Sequence, residues 1–299
     1  MEAKLRWLTL SFIFALLLSC RTAPTPPPEP IKVEPSPKPL PKVALVLGGG
    51  AAKGVAHVGV IRVLEKEKIP IDMIVATSVG ALVGAIYASE RDSFQLEWLA
   101  YQVTKEDIFD FSILYSKLGP VQGEKLEEFL KTKLKVKKLE DLQLPLYPVA
   151  TDLMTGETVS LERGSIARAV RASSAIPGVF VPVQFAGRTL IDGGVTNNLP
   201  IDIARQKGAD VVIAVNLSQD VKNVQIDSVI DIILQSIDIM GKELLKYKRQ
   251  GAEVLIEPQV GDVGTMDFSQ KKRCIEEGMK AARKALPQIQ QKIEDWRKK

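Results

Sequence analysis

The stretch Ile74–Ala85 reads IVATSVGALVGA. A run of β-formers ends in Thr77 and Ser78, and glycine and alanine follow at short intervals. The first half suits a buried strand and the second a helix that must pass close to its neighbours. A hydroxyl at a strand end, with only small side chains around it, fits a sharp strand-to-helix elbow of the GxSxG kind. There the serine Oγ is pushed out above the sheet. Here the elbow reads Ala76-Thr77-Ser78-Val79-Gly80, so alanine replaces the first glycine. The plainer reading is that Ser78 caps the helix after it.

Upstream, KVALVLGGGAAKGVAHVGVIRVLEKEKI reads as a buried strand (Val43–Leu47), a glycine turn and a helix striped by Val55, Val58, Ile61 and Leu64. Strand, crossover helix and second strand imply parallel pairing and an α/β sheet with both faces covered. Further buried strands are expected at Leu146–Asp152, Thr189–Asp192, Val211–Leu217 and Val254–Glu257. The charged, helical stretch Arg91–Asp141 fits either a cap beside the sheet or peripheral packing.

The turn GGGAAKG (Gly48–Gly54) is not a Walker A loop, because Gly54 is followed by Val55 rather than Lys-Ser/Thr. It also fails the dinucleotide fingerprint, which needs glycine at Lys53 or Ala51 depending on its start. Backbone N–H groups exposed ahead of a helix can hold a phosphate, or the oxyanion of an attacked ester. A structural tight turn would use the same residues.

A serine nucleophile needs a base. The single histidine, His57, lies in the helix after the glycine turn, and no histidine follows Ser78 as the Ser…Asp/Glu…His order requires. His57 therefore reads as a packed structural residue. The remaining candidate is Asp192 in FAGRTLIDGGVTNNLP, a carboxylate at a strand end backed by Gly193 and Gly194. An Asp-Gly turn is the common alternative.

Taken in order, GGGAAKGVAHVGVI, ATSVGALVGA, RASSAIPGVFVPV and IDGGVTNNLP resemble the patatin-like phospholipases, specifically their bacterial branch, from Lys42 to about Ala285. The resemblance implies a three-layer α/β/α fold with a mostly parallel central sheet. It also implies acyl-ester hydrolysis by a Ser–Asp dyad, with no metal and no cofactor. Carried across, Ser78 is the nucleophile, Asp192 the base, and the backbone of Gly49, Gly50 and Ala51 the oxyanion hole. Gly48, Lys53, Gly54, Gly80, Gly193 and Gly194 support these motifs, with Lys53 where an arginine is often found. Ala51 and Ala76 stand where many members carry glycine, and Ala51 is strained if its φ is positive.

The N-terminus reads separately. Lys4 and Arg6 precede the apolar run Leu8–Leu18, which is short for a membrane span but suits a signal peptide. It ends in LLSC, similar to the lipobox of bacterial lipoproteins, with Cys20 as the acylated residue. Arg21–Pro41 holds about half of the chain's 18 prolines. That composition favours an extended spacer, reaching on the order of 60 Å. The organisation expected is residues 1–19 as signal peptide, 20–41 as anchor cysteine and linker, 42–285 as hydrolase domain and 286–299 as a polar tail. This places the protein in the bacterial cell envelope, lipid-anchored at the outer membrane and facing the periplasm.

The formal net charge of +4 over 299 residues argues against nucleic acid as a partner. Two cysteines give no disulfide framework, and Cys274 reads as packing. Val229–Lys248, striped by Ile230, Ile233, Ile237, Met240 and Leu244, reads as a core-packing helix. A lipid-contacting face is the alternative. The partners expected are a phospholipid or other acyl ester and the membrane that holds the anchor. The rival functions are a catalytically silent lipid-binding module and, against the failed fingerprints, a nucleotide-binding protein.

Overall fold

Five consecutive apolar residues, Val43–Leu47, form strand β1, and all are buried. Such a run must be covered on both faces, which places it mid-sheet. The computed structural model describes residues 40–110, 119–217, 226, 229–264 and 266–298. Among them the strands are β1, β2 (Met73–Thr77), β3 (Leu146–Asp152), β4 (Thr158–Ser160), β5 (Val183–Phe185), β6 (Arg188–Asp192), β7 (Val211–Val215) and β8 (Val254–Ile256). The sheet order is β5-β6-β3-β2-β1-β7-β8, with β4 also paired to β3. From β3 to β8 the pairing is parallel. β4, β5 and β6 join antiparallel.

The longer helices are α1 (Ala56–Lys66), α2 (Val79–Glu90), α3 (Ser93–Gln102), α4 (Glu124–Lys133), α5 (Ile166–Ser173), α6 (Ile201–Gln206), α7 (Val229–Lys248) and α8 (Lys271–Lys298). Alternation along the strands divides the core in two. Val43, Leu45 and Leu47 pack on one face with residues of α1, α2, α5 and α8. Ala44 and Val46 pack on the other with α6 and Leu245 of α7. The result is the expected three-layer α/β/α arrangement with a mostly parallel sheet.

The stretch Arg91–Asp141 forms α3, α4 and short turns, with residues 111–118 outside the described part. The boundary expected after Ala285 has no counterpart here. α8 continues to Lys298 and carries fully buried Ile289 into the core. Nearer its start α8 crosses α1 tightly. A Cβ on Gly59 would lie 2.0 Å from the Ile275 carbonyl oxygen, and one on Gly278 would lie 2.0 Å from that of Ala56. Residues 1–39, including Cys20 and its flanks, lie outside the described part. No helix among the described residues is long and apolar enough to cross a membrane.

Candidate active site

β2 delivers Ser78 to the end of the sheet, and the chain turns there at φ 56°, ψ −126°. That conformation is strained for a residue with a side chain. Although Ser78 stands at the N-cap of α2, its hydroxyl makes no capping hydrogen bond. The capping alternative therefore fails, and the elbow holds Oγ for something else. Two contacts fix the turn. The Ser78 N–H donates to Ser173 Oγ at 2.9 Å, and that hydroxyl donates to the Val149 carbonyl at 2.6 Å.

The small residues around Ser78 have a direct cause. A Cβ on Gly80 would sit 2.4 Å from the Leu47 carbonyl oxygen and 2.8 Å from that of Gly48. A Cβ on Gly54 would meet Val79 at 2.3 Å. Ala76 is an interior residue of β2, where alanine carries no penalty, so the missing first glycine of the elbow is no defect. Ala51 is different. Its φ is 47°, and it keeps the strain its side chain implies.

Asp192 reaches the same place through β3. Val149 lies opposite Thr77, and the next residue, Ala150, lies opposite Asp192. Behind Asp192 the chain is pressed onto that strand, and a Cβ on Gly193 would lie 2.3 Å from the Val149 carbonyl oxygen. Gly193 is thus required by close approach rather than by a hairpin turn, and a one-turn helix (Gly194–Asn197) follows. Asp192 Oδ1 accepts the Gly194 N–H at 2.7 Å. Its Oδ2 is buried with no hydrogen-bond partner. Burial pushes the carboxyl up to about 6, against the pull of the Ser78 hydroxyl and the Gly194 N–H and with help from the nearby Asp238 charge. No hydrogen bond of ordinary geometry joins Ser78 to Asp192, but the two line one small cavity with Gly49, Gly50 and Ala51.

The glycine turn differs in detail from the expectation. The Gly48 N–H donates to the Val215 carbonyl at 3.1 Å, and the Gly49 N–H to the Asn198 carbonyl at 3.2 Å. Gly49 is therefore committed to the scaffold. The Gly50 and Ala51 amides have no acceptor among the described residues and are the two left to hold an oxyanion. His57 lies fully buried under the turn, with Nε2 2.8 Å from the Gly48 carbonyl oxygen. Burial lowers its pKa to about 4, so it is a neutral structural prop.

Sequence reasoning missed three residues. Ser173 and Asn198 hold the elbow and the turn, but a lone serine at a helix end or asparagine in a loop gives no signal of its partner. Asp238 follows Ile237 on α7, beside the apolar stripe, and nothing in that pattern ties it to Ser78 or Asp192. It lines the cavity, 3.5 Å from the buried ammonium of Lys53. α7 turns Leu234, Ile237 and Asp238 to the site, while Met240 and Leu244 are exposed. The core-packing reading of its stripe thus holds only in part.

A family model described as patatin-like phospholipase matches residues 45–205. The human patatin-like phospholipase domain-containing protein 6 is 37% identical over 187 residues, covering 60% of this chain and 14% of that protein. An uncharacterised NTE family protein of Mycobacterium tuberculosis is 39% identical over 180 residues, 59% of this chain and 49% of its own length. This chain thus spans half or less of these relatives. Among solved structures, VipD from Legionella pneumophila superposes with a TM-score of 0.56 at 16% identity, over 83% of this chain and 67% of VipD. The type III effector ExoU gives 0.50 at 15% identity, over 85% and 54%. These two likenesses speak to the fold alone. The matched span of 45–205 takes in the glycine turn, the Ser78 elbow and Asp192, while the part of the cavity lined by α7 lies beyond it. The chain belongs to the patatin-like phospholipase family.

Proposed function

We propose that this protein is a serine acyl hydrolase that cleaves acyl esters of phospholipids or lysophospholipids through a Ser78–Asp192 dyad. The observation that carries this reading is the strained Ser78 elbow, with an uncapped hydroxyl sharing a cavity with a buried carboxylate whose Oδ2 has no partner. A carboxyl raised to about 6 is a better base than an exposed one and is still ionised at neutral pH.

Ser78 Oγ attacks the acyl carbonyl as its proton passes to Asp192, and the carbonyl oxygen becomes an oxyanion held by the Gly50 and Ala51 amides. Collapse breaks the bond to the alcohol, which leaves with the proton from Asp192. Water then attacks the acyl-enzyme with Asp192 again as base, releasing the fatty acid and restoring the Ser78 hydroxyl.

Labelling of the full-length protein by a fluorophosphonate tests the assignment. Wild type is expected to label and Ser78→Ala is not. A folded wild type that fails to label points to a silent lipid-binding domain instead. We further propose that Cys20 is acylated and holds the protein at the cell envelope. Incorporation of labelled palmitate that is lost in Cys20→Ser supports the anchor, and incorporation that persists rejects it.

A further inference from the structure

α7 has two apolar faces. Leu234 and Ile237 turn with Asp238 to the cavity over Ser78. On the other side Val229, Ile232, Ile239, Met240, Leu244 and Tyr247 form an exposed stripe along the 20-residue helix, with Val229 71% and Tyr247 83% exposed. Their spacing keeps them on one side of the helix. The two polar residues within the stripe are already satisfied. Ser236 Oγ donates to the Ile232 carbonyl at 2.7 Å, and Glu243 is paired with Lys246 at 2.6 Å. Lys242 and Lys246 follow Ile239 at i+3 and i+7 and border the stripe with positive charge. Leu153 and Met154, in the turn after β3, are also exposed at the Ser78 end of the sheet. A continuous apolar surface of this kind marks a contact with a protein or a membrane.

The inner face holds the helix with few contacts. Among the described residues of α7 only Leu234 and Gly241 are buried, and Asp238 adds the ion pair to Lys53. Yet α7 covers the site. Ser78 is itself buried, and the cavity over it holds about 30 Å3, room for about two waters. An ester group with its attached chains needs more space than that.

We propose that the outer face of α7 docks on a phospholipid bilayer, and that docking draws α7 away from Ser78 to admit a lipid. The choice of a bilayer rests on the acyl-hydrolase reading of the site. Two further observations favour it over a protein partner or a second copy of this chain. The cationic edge at Lys242 and Lys246 complements anionic headgroups. The chain outside the described part joins at Leu40, before β1, at the end of the sheet away from Ser78. The proline-rich stretch Arg21–Pro41 reaches on the order of 60 Å, against roughly 17 Å for β1. A domain tethered through it is free to turn its Ser78 end to the membrane. The six side chains that enter the bilayer outnumber the buried ones that α7 gives up beneath.

The test uses the full chain with Cys20→Ser, so that Cys274, which is buried, is the only native thiol. With Ser78→Ala added to prevent turnover, a polarity-sensitive NBD label is placed at Met240→Cys or, for comparison, at Phe94→Cys on the exposed side of α3. Vesicles of equal parts phosphatidylcholine and phosphatidylglycerol are expected to shift NBD emission to the blue at 240 and not at 94. No shift at 240, or an equal shift at both positions, overturns the docking assignment. A shift at 240 that needs no vesicles and grows with protein concentration overturns it in favour of a second copy. Opening is read with Ser78 intact, as the rate of its modification by diisopropyl fluorophosphate. The rate should rise about tenfold on the vesicles, as the open form goes from about a tenth of the molecules to most of them. The rise should be lost when Ile232→Asp and Met240→Asp are combined. Modification at one rate with and without vesicles overturns the opening. If the label at 240 enters the bilayer but Ser78 is never modified, the docking assignment stands and the hydrolase reading falls.

Discussion

The Lys53 ammonium lies 3.5 Å from the Asp238 carboxylate, with both side chains largely buried. The pair ties the glycine turn to α7, and Asp238 adds a second negative charge near Asp192. Removing that charge should let Asp192 ionise more easily. Asp238→Asn is expected to move the acid limb of the kcat/KM profile below its wild-type midpoint near pH 6. It should also cost about 3 kcal/mol of stability, since Lys53 is left buried without its counter-ion. A pH–rate profile and a denaturant titration check the two effects; an unmoved limb rejects the electrostatic role.

Asp192 opposes stability to function. Its folded pKa of about 6 lies above the ordinary 3.8. The stabilising effect of its proton is therefore fully present below about pH 4 and lost as pH rises through 6. Above that, the folded chain holds a buried anion. Asp192→Asn should abolish turnover yet stabilise the protein at pH 8 by up to about 3 kcal/mol, with little change at pH 4. Thermal melts at the two pH values give the comparison.

Ser173 touches no reacting atom and positions the elbow through two hydrogen bonds. Ser173→Ala strands the Ser78 N–H and removes a donor to the Val149 carbonyl, at a cost of about 2 kcal/mol. Because the Ser78 hydroxyl is displaced rather than lost, the proposed activity should lose about tenfold in kcat with KM little changed. Steady-state kinetics on a soluble ester tests this, and a change confined to KM argues against it.

Ala51 holds a φ of 47° that glycine would adopt freely. Ala51→Gly is expected to stabilise the fold by about 1 kcal/mol, raising Tm by roughly 2–4 °C. The backbone amide at position 51 is kept. A lowered Tm would show that the methyl group packs usefully.

The central strands and their crossovers were legible in the sequence because burial on both faces forces long apolar runs. Val43–Leu47 and Leu146–Asp152 appear where their composition puts them. β4 and β5 were not legible. They are three residues each and pair at or near an edge of the sheet, so they carry too little pattern to register. The catalytic candidates could be found because an elbow and a close approach each demand glycine at a fixed offset. What tunes them could not. Asp238 is 46 residues beyond Asp192 in the chain, and only the path of α7 brings it to the site. The division of labour among the Gly49, Gly50 and Ala51 amides was equally hidden, since it depends on the carbonyl of Asn198, contributed from far along the chain.

The crossing of Gly59 with Gly278 has a consequence for the order in which the molecule is made. α1, which follows the glycine turn, packs against α8, and neither tolerates so much as a methyl group between them. A ribosome that has already released β1, β2 and the Ser78 elbow still holds the residues that cover α1. The nascent chain therefore carries the Ser78 elbow long before α8 can cover α1. The core around α1 is complete only once α8 has been made.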